Sequence, residues 1–128
     1  MNFEELVRLN RSCRRFDETA TLSESALRKW VDLARLSASG GNLQPLKYIL
    51  SWDPARNTLI FPSLAWAAYL KEWGGPLPGE RPTGYIILLH DTRISSSHGH
   101  DAGIAAQTIM LVVRAQGWAG CMIGSVNR

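Results

Sequence analysis

The sequence predicts an α+β domain, a sheet flanked by helices, and three observations carry that expectation. Apolar residues recur at helical spacing in some stretches and run continuously in others; the two kinds mix without a regular βαβ repeat; no internal repeat or low-complexity tract interrupts them. With 128 residues, 45% of them hydrophobic, the chain is long enough for a single domain over residues 1–128. Such a domain buries roughly two thirds of its unfolded surface.

Residues 2 to 9 predict a short amphipathic helix with Phe3, Leu6, Val7 and Leu9 as its apolar side. The stretch "NRSCRRF" breaks that pattern. Thr21 with Glu24 has the form of a capping box, and Leu27, Trp30, Val31 and Ala34 follow at helical spacing towards Gly40 and Gly41. "LKYILSW" and "NTLIFP" read as strands joined around "DPAR", an order that brings Tyr48 and Ile60 into one sheet. Ser63 is placed to cap a short helix holding Leu64, Ala67, Ala68 and Leu70. "GGPLPGERPTG" is dense in Gly and Pro and reads as a loop, of a length used for lids and binding walls. "YIILLHD" is a continuous apolar run, the pattern of a strand covered on both faces. Asp101 is expected to cap the next helix. Ile104, Ala105, Ile109, Leu111, Val112 and Val113 spread round most of that helix, which predicts a central position. "WAGCMIG", after Gly117, reads as a buried strand ending in glycine.

Composition excludes several classes of function. No apolar run approaches the ~20 residues of a membrane span. Glu4, Glu5 and Arg8 stand where a secretory signal is apolar, so a cytoplasmic protein with no membrane partner is expected. Cys13 and Cys121 lie far apart in dissimilar contexts, which fits a reducing compartment and gives no metal-ligand spacing. A net charge of +3 is small for a nucleic-acid surface, and no nucleic-acid partner is expected. Its distribution is more informative, because Arg8, Arg11, Arg14 and Arg15 crowd one short segment suited to an anion.

Within that segment Arg11, Ser12 and Arg14 combine guanidinium forks, a hydroxyl and loop N–H groups, the equipment that binds phosphate; the alternative is a solvated basic loop. In "SASGGNLQP" two glycines allow positive φ and close approach of a planar ligand, while Ser39 and Asn42 offer hydrogen bonds. Pro45 biases Gln44 towards extended backbone and stiffens the loop. A glycine helix cap followed by a polar turn is the plainer reading of the same residues. Gly124 in "CMIGS" is placed to present its N–H to a ligand edge. "SHGHD" brings His98, His100 and Asp101 together in a Ser/Gly-rich loop, where solvent exposure is expected and no metal is assigned. Trp30, Trp52, Trp66, Trp73 and Trp118 fit core or interface positions better than base stacking. Cys121 reads as a small core residue, and Cys13, though among arginines, as noncatalytic.

Taken together, "NRSCRRF", "SASGGNLQPLKY" and "DAGIAAQTIMLVVRAQGWAGCMIGSVNR" resemble, in order and separation, the FMN-dependent nitroreductase family, and "GERPTGYIILLHD" is similar to the strand before its long helix. The resemblance implies a central sheet flanked by helices and an intertwined homodimer with FMN at each subunit interface. It implies hydride transfer from NADH or NADPH to the flavin and then, by a ping-pong cycle, to a nitroaromatic, quinone or similar small acceptor. Arg11, Ser12 and Arg14 are similar to the family's phosphate-end and pyrimidine-side contacts, Ser39, Gly40 and Asn42 to the loop against the flavin, and Gly124 with Ser125 to the turn facing its N5 edge. No side chain is implied as acid or nucleophile, since the flavin performs the chemistry. Arg14 is given an electrostatic role: a guanidinium about 4 Å from the reduced ring's charge is worth at most roughly 4 kcal/mol, on the order of 90 mV for a two-electron couple. "WGGPLPGERP" is expected at the substrate rim. The chain departs from the family pattern at Asn10, Ala38 and Leu46, and its end at Arg128 implies a C-terminally incomplete member. The alternative is a flavin-binding or dimerising protein without turnover.

Overall fold

The computed structural model describes residues 1–96 and 99–127. Helix α1 (Phe3–Leu9) opens with a reciprocal capping box: the Asn2 side chain accepts the Glu5 N–H, and the Glu5 carboxylate accepts the Asn2 N–H. Helix α2 (Glu24–Ala34) starts at Ser23, whose hydroxyl accepts the Ala26 N–H at 3.2 Å, so its cap lies at Ser23 and not at Thr21. Its last turn ends at Arg35, well before the glycines that were expected to stop it. Strand β1 (Leu46–Ser51) follows, then α3 (Pro54–Ile60), β2 (Tyr85–His90) and α4 (Asp101–Ala115).

The core forms where two helical stripes meet one face of a small sheet. Leu27, Trp30 and Ala34 on α2 and Ala105, Ile109 and Val113 on α4 form the buried core cluster, spaced three to four apart so that each set lies on one face. β1 and β2 pair antiparallel, with Leu46 opposite His90, Tyr48 opposite Leu88 and Leu50 opposite Ile86. The period of two puts Leu46, Tyr48, Leu50, Ile86 and Leu88 on one face, and these pack against the helices. Trp30 closes the far end: its indole N–H donates to Gln116 Oε1 at 2.8 Å, and its ring meets Trp118 edge-on, centroids 6.4 Å apart.

Four expectations are corrected. "NTLIFP" is not a strand. Asp53 caps a helix there by accepting the Arg56 N–H, and Pro54 occupies its first turn, where a missing N–H costs nothing. Asn57 secures it, accepting the Ser51 hydroxyl at 2.7 Å and donating to the Thr83 carbonyl at 2.9 Å. Tyr48 therefore shares the sheet with Leu88, and Ile60 lies outside it. The segment after Ser63 is likewise not a helix: the Ser63 hydroxyl donates back to the Ile60 carbonyl, Leu64 bridges to Val126, and Ala67 has φ 41°. "WAGCMIG" forms no strand and joins no sheet among the described residues, and Met122 is 48% exposed. Finally, β2 packs one face on the helices and is only partly covered on the other. Ile49 and Leu89, on the other face, stay 49% and 43% exposed, and Ile104 on α4 is 38% exposed. The apolar patterning of β2 and α4 thus exceeds what this chain by itself covers.

The Gly/Pro-rich stretch between α3 and β2 is a loop, as expected, and its base is tied down. Glu18 accepts the N–H groups of Gly79 and Arg81, while Phe16 and Glu18 donate their own N–H groups to the carbonyls of Glu80 and Gly79. Gly75 has φ 101° and lies against Trp66 so closely that a Cβ there would stand 2.8 Å from the indole Cδ1. No helix among the described residues is long and apolar enough to cross a membrane.

Candidate functional site

Two concave regions contain predicted site residues. The first, about 150 Å³, is lined by Arg14, by 65–68 and by 121–125. Arg14 reaches it from the turn after α1, where Cys13 N–H donates to the Gly120 carbonyl at 2.8 Å and so lays the arginine segment beside the C-terminal one. Ser125 is held from the other side, its carbonyl accepting the Ala65 N–H at 3.0 Å. Arg14 is half-buried and its guanidinium lies 5.4 Å from the centre of the Tyr69 ring. A Cβ added at Gly124 would meet nothing within 4 Å, so the main chain there faces open space. The structure thus brings Arg14, Gly124 and Ser125 together.

Arg11 and Ser12 are exposed and do not line this cavity. Cys121, which lines it, is half-buried and not the core residue expected; burial pushes its thiol up, opposed by the nearby Arg14 charge. Trp66 in that wall meets Phe61 at a tilt and Trp73 edge-on, a small aromatic group with the Arg81 guanidinium 4.1 Å from the centre of Phe61. Sequence reading assigned these tryptophans to packing but gave no sign that 65–68 and Tyr69 would face Arg14.

The second cavity, about 190 Å³, lies between the C-terminal end of α2, the 37–44 segment, β1 and the start of α4. Ser39, Gln44, Arg35, Tyr48 and Asp101 line it. Asp101 is not a helix cap: α4 starts after His100 without a side-chain cap. Its carboxylate instead accepts the Ser39 hydroxyl on one oxygen and the Gly40 N–H, at 3.0 Å, on the other. The Ser39 and Gly40 bonds, in that order, hold the Asp101 carboxyl below the ordinary carboxylate range. His100 adjoins it, and His98 lies outside the described residues.

Gln44 departs from expectation. Pro45 was expected to draw it into extended backbone, yet its φ is 53°, with Asn42 at 55° and Gly41 at 59°. Left-handed backbone costs a non-glycine residue about 1–3 kcal/mol and persists only where the surroundings over-determine it. Here Gln44 N–H donates to Ser39 Oγ at 3.0 Å, and its side-chain amide donates to Asn42 Oδ1 at 2.8 Å. Ser39, Gly40 and Asn42 therefore belong to one hydrogen-bonded unit, and that unit shares no lining residue with the first cavity. Neither cavity reaches the roughly 300–1,000 Å³ of a small-molecule site. Each supplies an edge for a ligand, not an enclosure.

A guanidinium and an open main-chain edge stand in the first cavity, and a polar loop with left-handed backbone at Gln44 lines the second. Residues 7–73 match the model of the Nitroreductase family, more than half of the chain's 128 residues. The fold is similar to that of a nitroreductase family protein of Clostridium novyi NT (TM-score 0.76, 22% identity, covering 99% of this chain and 72% of that one). It is also similar to a protein of Exiguobacterium sibiricum described as a nitroreductase in complex with FMN (TM-score 0.75, 18% identity, 98% and 76% covered). A third likeness is to a Parabacteroides distasonis protein described as an NADH dehydrogenase/NAD(P)H nitroreductase (TM-score 0.69, 20% identity, 89% covered). The chain spans 62% of that protein's length, less than two thirds. At these identities the likeness establishes the fold. No curated protein matches the chain in sequence.

Proposed function

Because the chain belongs to the nitroreductase family, we propose that it is an FMN-dependent oxidoreductase drawing hydride from NADH or NADPH and reducing a small planar acceptor such as a nitroaromatic or a quinone. The observation that supports this most is the convergence of Arg14, Gly124 and Ser125 on one open wall, from segments that the chain separates by over a hundred residues. When bound, FMN supplies the hydride-accepting and electron-delivering chemistry.

The protein's task is to bind, orient and polarise. Arg14 supplies positive charge to the pyrimidine side of the ring, and Arg11 and Ser12, exposed beside it, take the phosphate end. The Gly124 and Ser125 main chain faces the ring edge where no Cβ intrudes. Ser39, Gly40 and Asn42 form the opposing wall, and the 74–83 loop contributes to the acceptor rim. Because each cavity is only an edge, the complete site is assembled with a second copy of the chain, in a homodimer that holds FMN between subunits. Nicotinamide and acceptor then use the same exposed ring face in turn.

The purified protein should be yellow, with flavin absorbance that bleaches on anaerobic addition of NADH or NADPH and returns when a quinone is added. A yellow protein that neither bleaches nor recovers would be a flavin binder without turnover. A colourless protein that takes up no added FMN would end the proposal.

A further inference from the structure

Helix α4, expected from its sequence to lie at the centre of the fold, also bonds to the 37–44 segment. Asp101, Ala105 and Thr108 stand four and then three residues apart and so share one helical face. Asp101 receives the Ser39 hydroxyl and the Gly40 N–H; Thr108 Oγ1 lies 2.7 Å from Ser37 Oγ. Between them Ala105, 3% exposed, carries no more than a methyl group and lets the segment lie close. Ser39 in turn accepts the Gln44 N–H, which passes the constraint on to the left-handed residues. The contacts to Asp101 are each made by a different carboxylate oxygen, and they join residues 61 and 62 positions away.

We propose that Asp101 is a positioning residue, whose carboxylate sets the shape of the 39–44 wall before any ligand arrives and thereby fixes the affinity for FMN. The proposal rests on the reading of Ser39, Gly40 and Asn42 as the flavin wall. Asp101 itself need not touch FMN; it acts through Ser39 and Gly40. The strained backbone at Asn42 and Gln44 explains why such a device is needed, since without an outside anchor the segment relaxes to ordinary turn geometry.

The test uses the full chain with Asp101→Ala and the isosteric Asp101→Asn, which keeps one acceptor oxygen. Amide hydrogen exchange is followed at Gly40 and Gln44 against the core amide of Ile109, and FMN is titrated into apo-protein. For Asp101→Ala, exchange at Gly40 and Gln44 should quicken, and the FMN Kd should rise, each by about tenfold or more, as expected for losing a hydrogen bond to a charged group. Exchange at Ile109 should stay near wild type, and Asp101→Asn should fall between. Unchanged exchange at Gly40 and Gln44, whatever FMN does, removes Asp101 as the anchor and leaves the flavin reading standing. Equal quickening at Ile109 shows general destabilisation and overturns the proposal too. Quickened exchange with unchanged FMN affinity keeps the anchor but ends the reading of 39–42 as the flavin wall, and the proposal with it. Should Asp101→Ala fail to fold, Asp101→Asn carries the same comparison.

Discussion

Arg14 stands where several constraints meet: half-buried, against the Tyr69 ring, and beside Gly124 and Ser125. A positive charge held at the flavin's pyrimidine side favours the reduced, more negative ring. Arg14→Ala should therefore lower the bound flavin's midpoint potential, by at most on the order of 90 mV since exposed parts of the site are screened. Redox titration of the two proteins measures this, and an unchanged potential would take Arg14 out of the electrostatic role. Gly75 shows a different residue-scale constraint. Its φ of 101° and the 2.8 Å approach of a Cβ to the Trp66 ring leave no room for alanine. Gly75→Ala should cost about 1–3 kcal/mol, read as a lowered denaturation midpoint. Wild-type stability in that variant would mean that the 74–83 loop yields easily.

At the scale of elements, the connection between β1 and α3 depends on one partly buried polar chain. Ser51, 1% exposed, donates to Asn57; Asn57 donates to the Thr83 carbonyl; Thr83 donates to the Ala20 carbonyl at 2.7 Å. This network ties the helix at "NTLIFP", for all its strand-like composition, to Thr83 just before β2. Asn57→Ala takes this partner from the buried Ser51 hydroxyl and the part-buried Thr83 carbonyl, which should cost about 1–3 kcal/mol for the hydroxyl and less for the carbonyl. Chemical denaturation measures the loss, and pairing Asn57→Ala with Ser51→Ala should recover part of it. Full additivity of the two substitutions would show that the groups act independently.

The whole molecule carries more surface than its mass calls for. A compact monomer of 14.2 kDa exposes about 6,800 Å², whereas this chain exposes 8710 Å². The surplus, roughly 1,900 Å², is of the size that each partner contributes to a large obligate interface. It includes Phe3, Val7 and Leu9 on α1, a helix with no buried residue, and the outer sheet face at Ile49 and Leu89. The homodimer proposed above would account for such surfaces, and sedimentation equilibrium at micromolar concentration should then give twice the chain mass. A monomer under those conditions would remove the second copy from the proposed site.

The spacing of Leu27, Trp30 and Ala34, the alternation in β1 and the Gly/Pro density of 74–83 were legible in the sequence. So were the ordered stretches that point to a flavin oxidoreductase. Such signals are local, because a helix face, a pleat or a turn repeats within a few residues and depends on near neighbours. Only the tertiary structure decided that Asp53 and Asn57 override a strand-like composition, that Asp101 anchors a distant loop instead of capping its own helix, and that Gln44 turns left-handed ahead of a proline. Asn57 and Asp101 bond partners that arrive from elsewhere in the chain, Thr83 for the one and Ser39 and Gly40 for the other, and Gln44 is held through the Ser39 that Asp101 anchors; a polar group takes whichever partner the fold brings within reach.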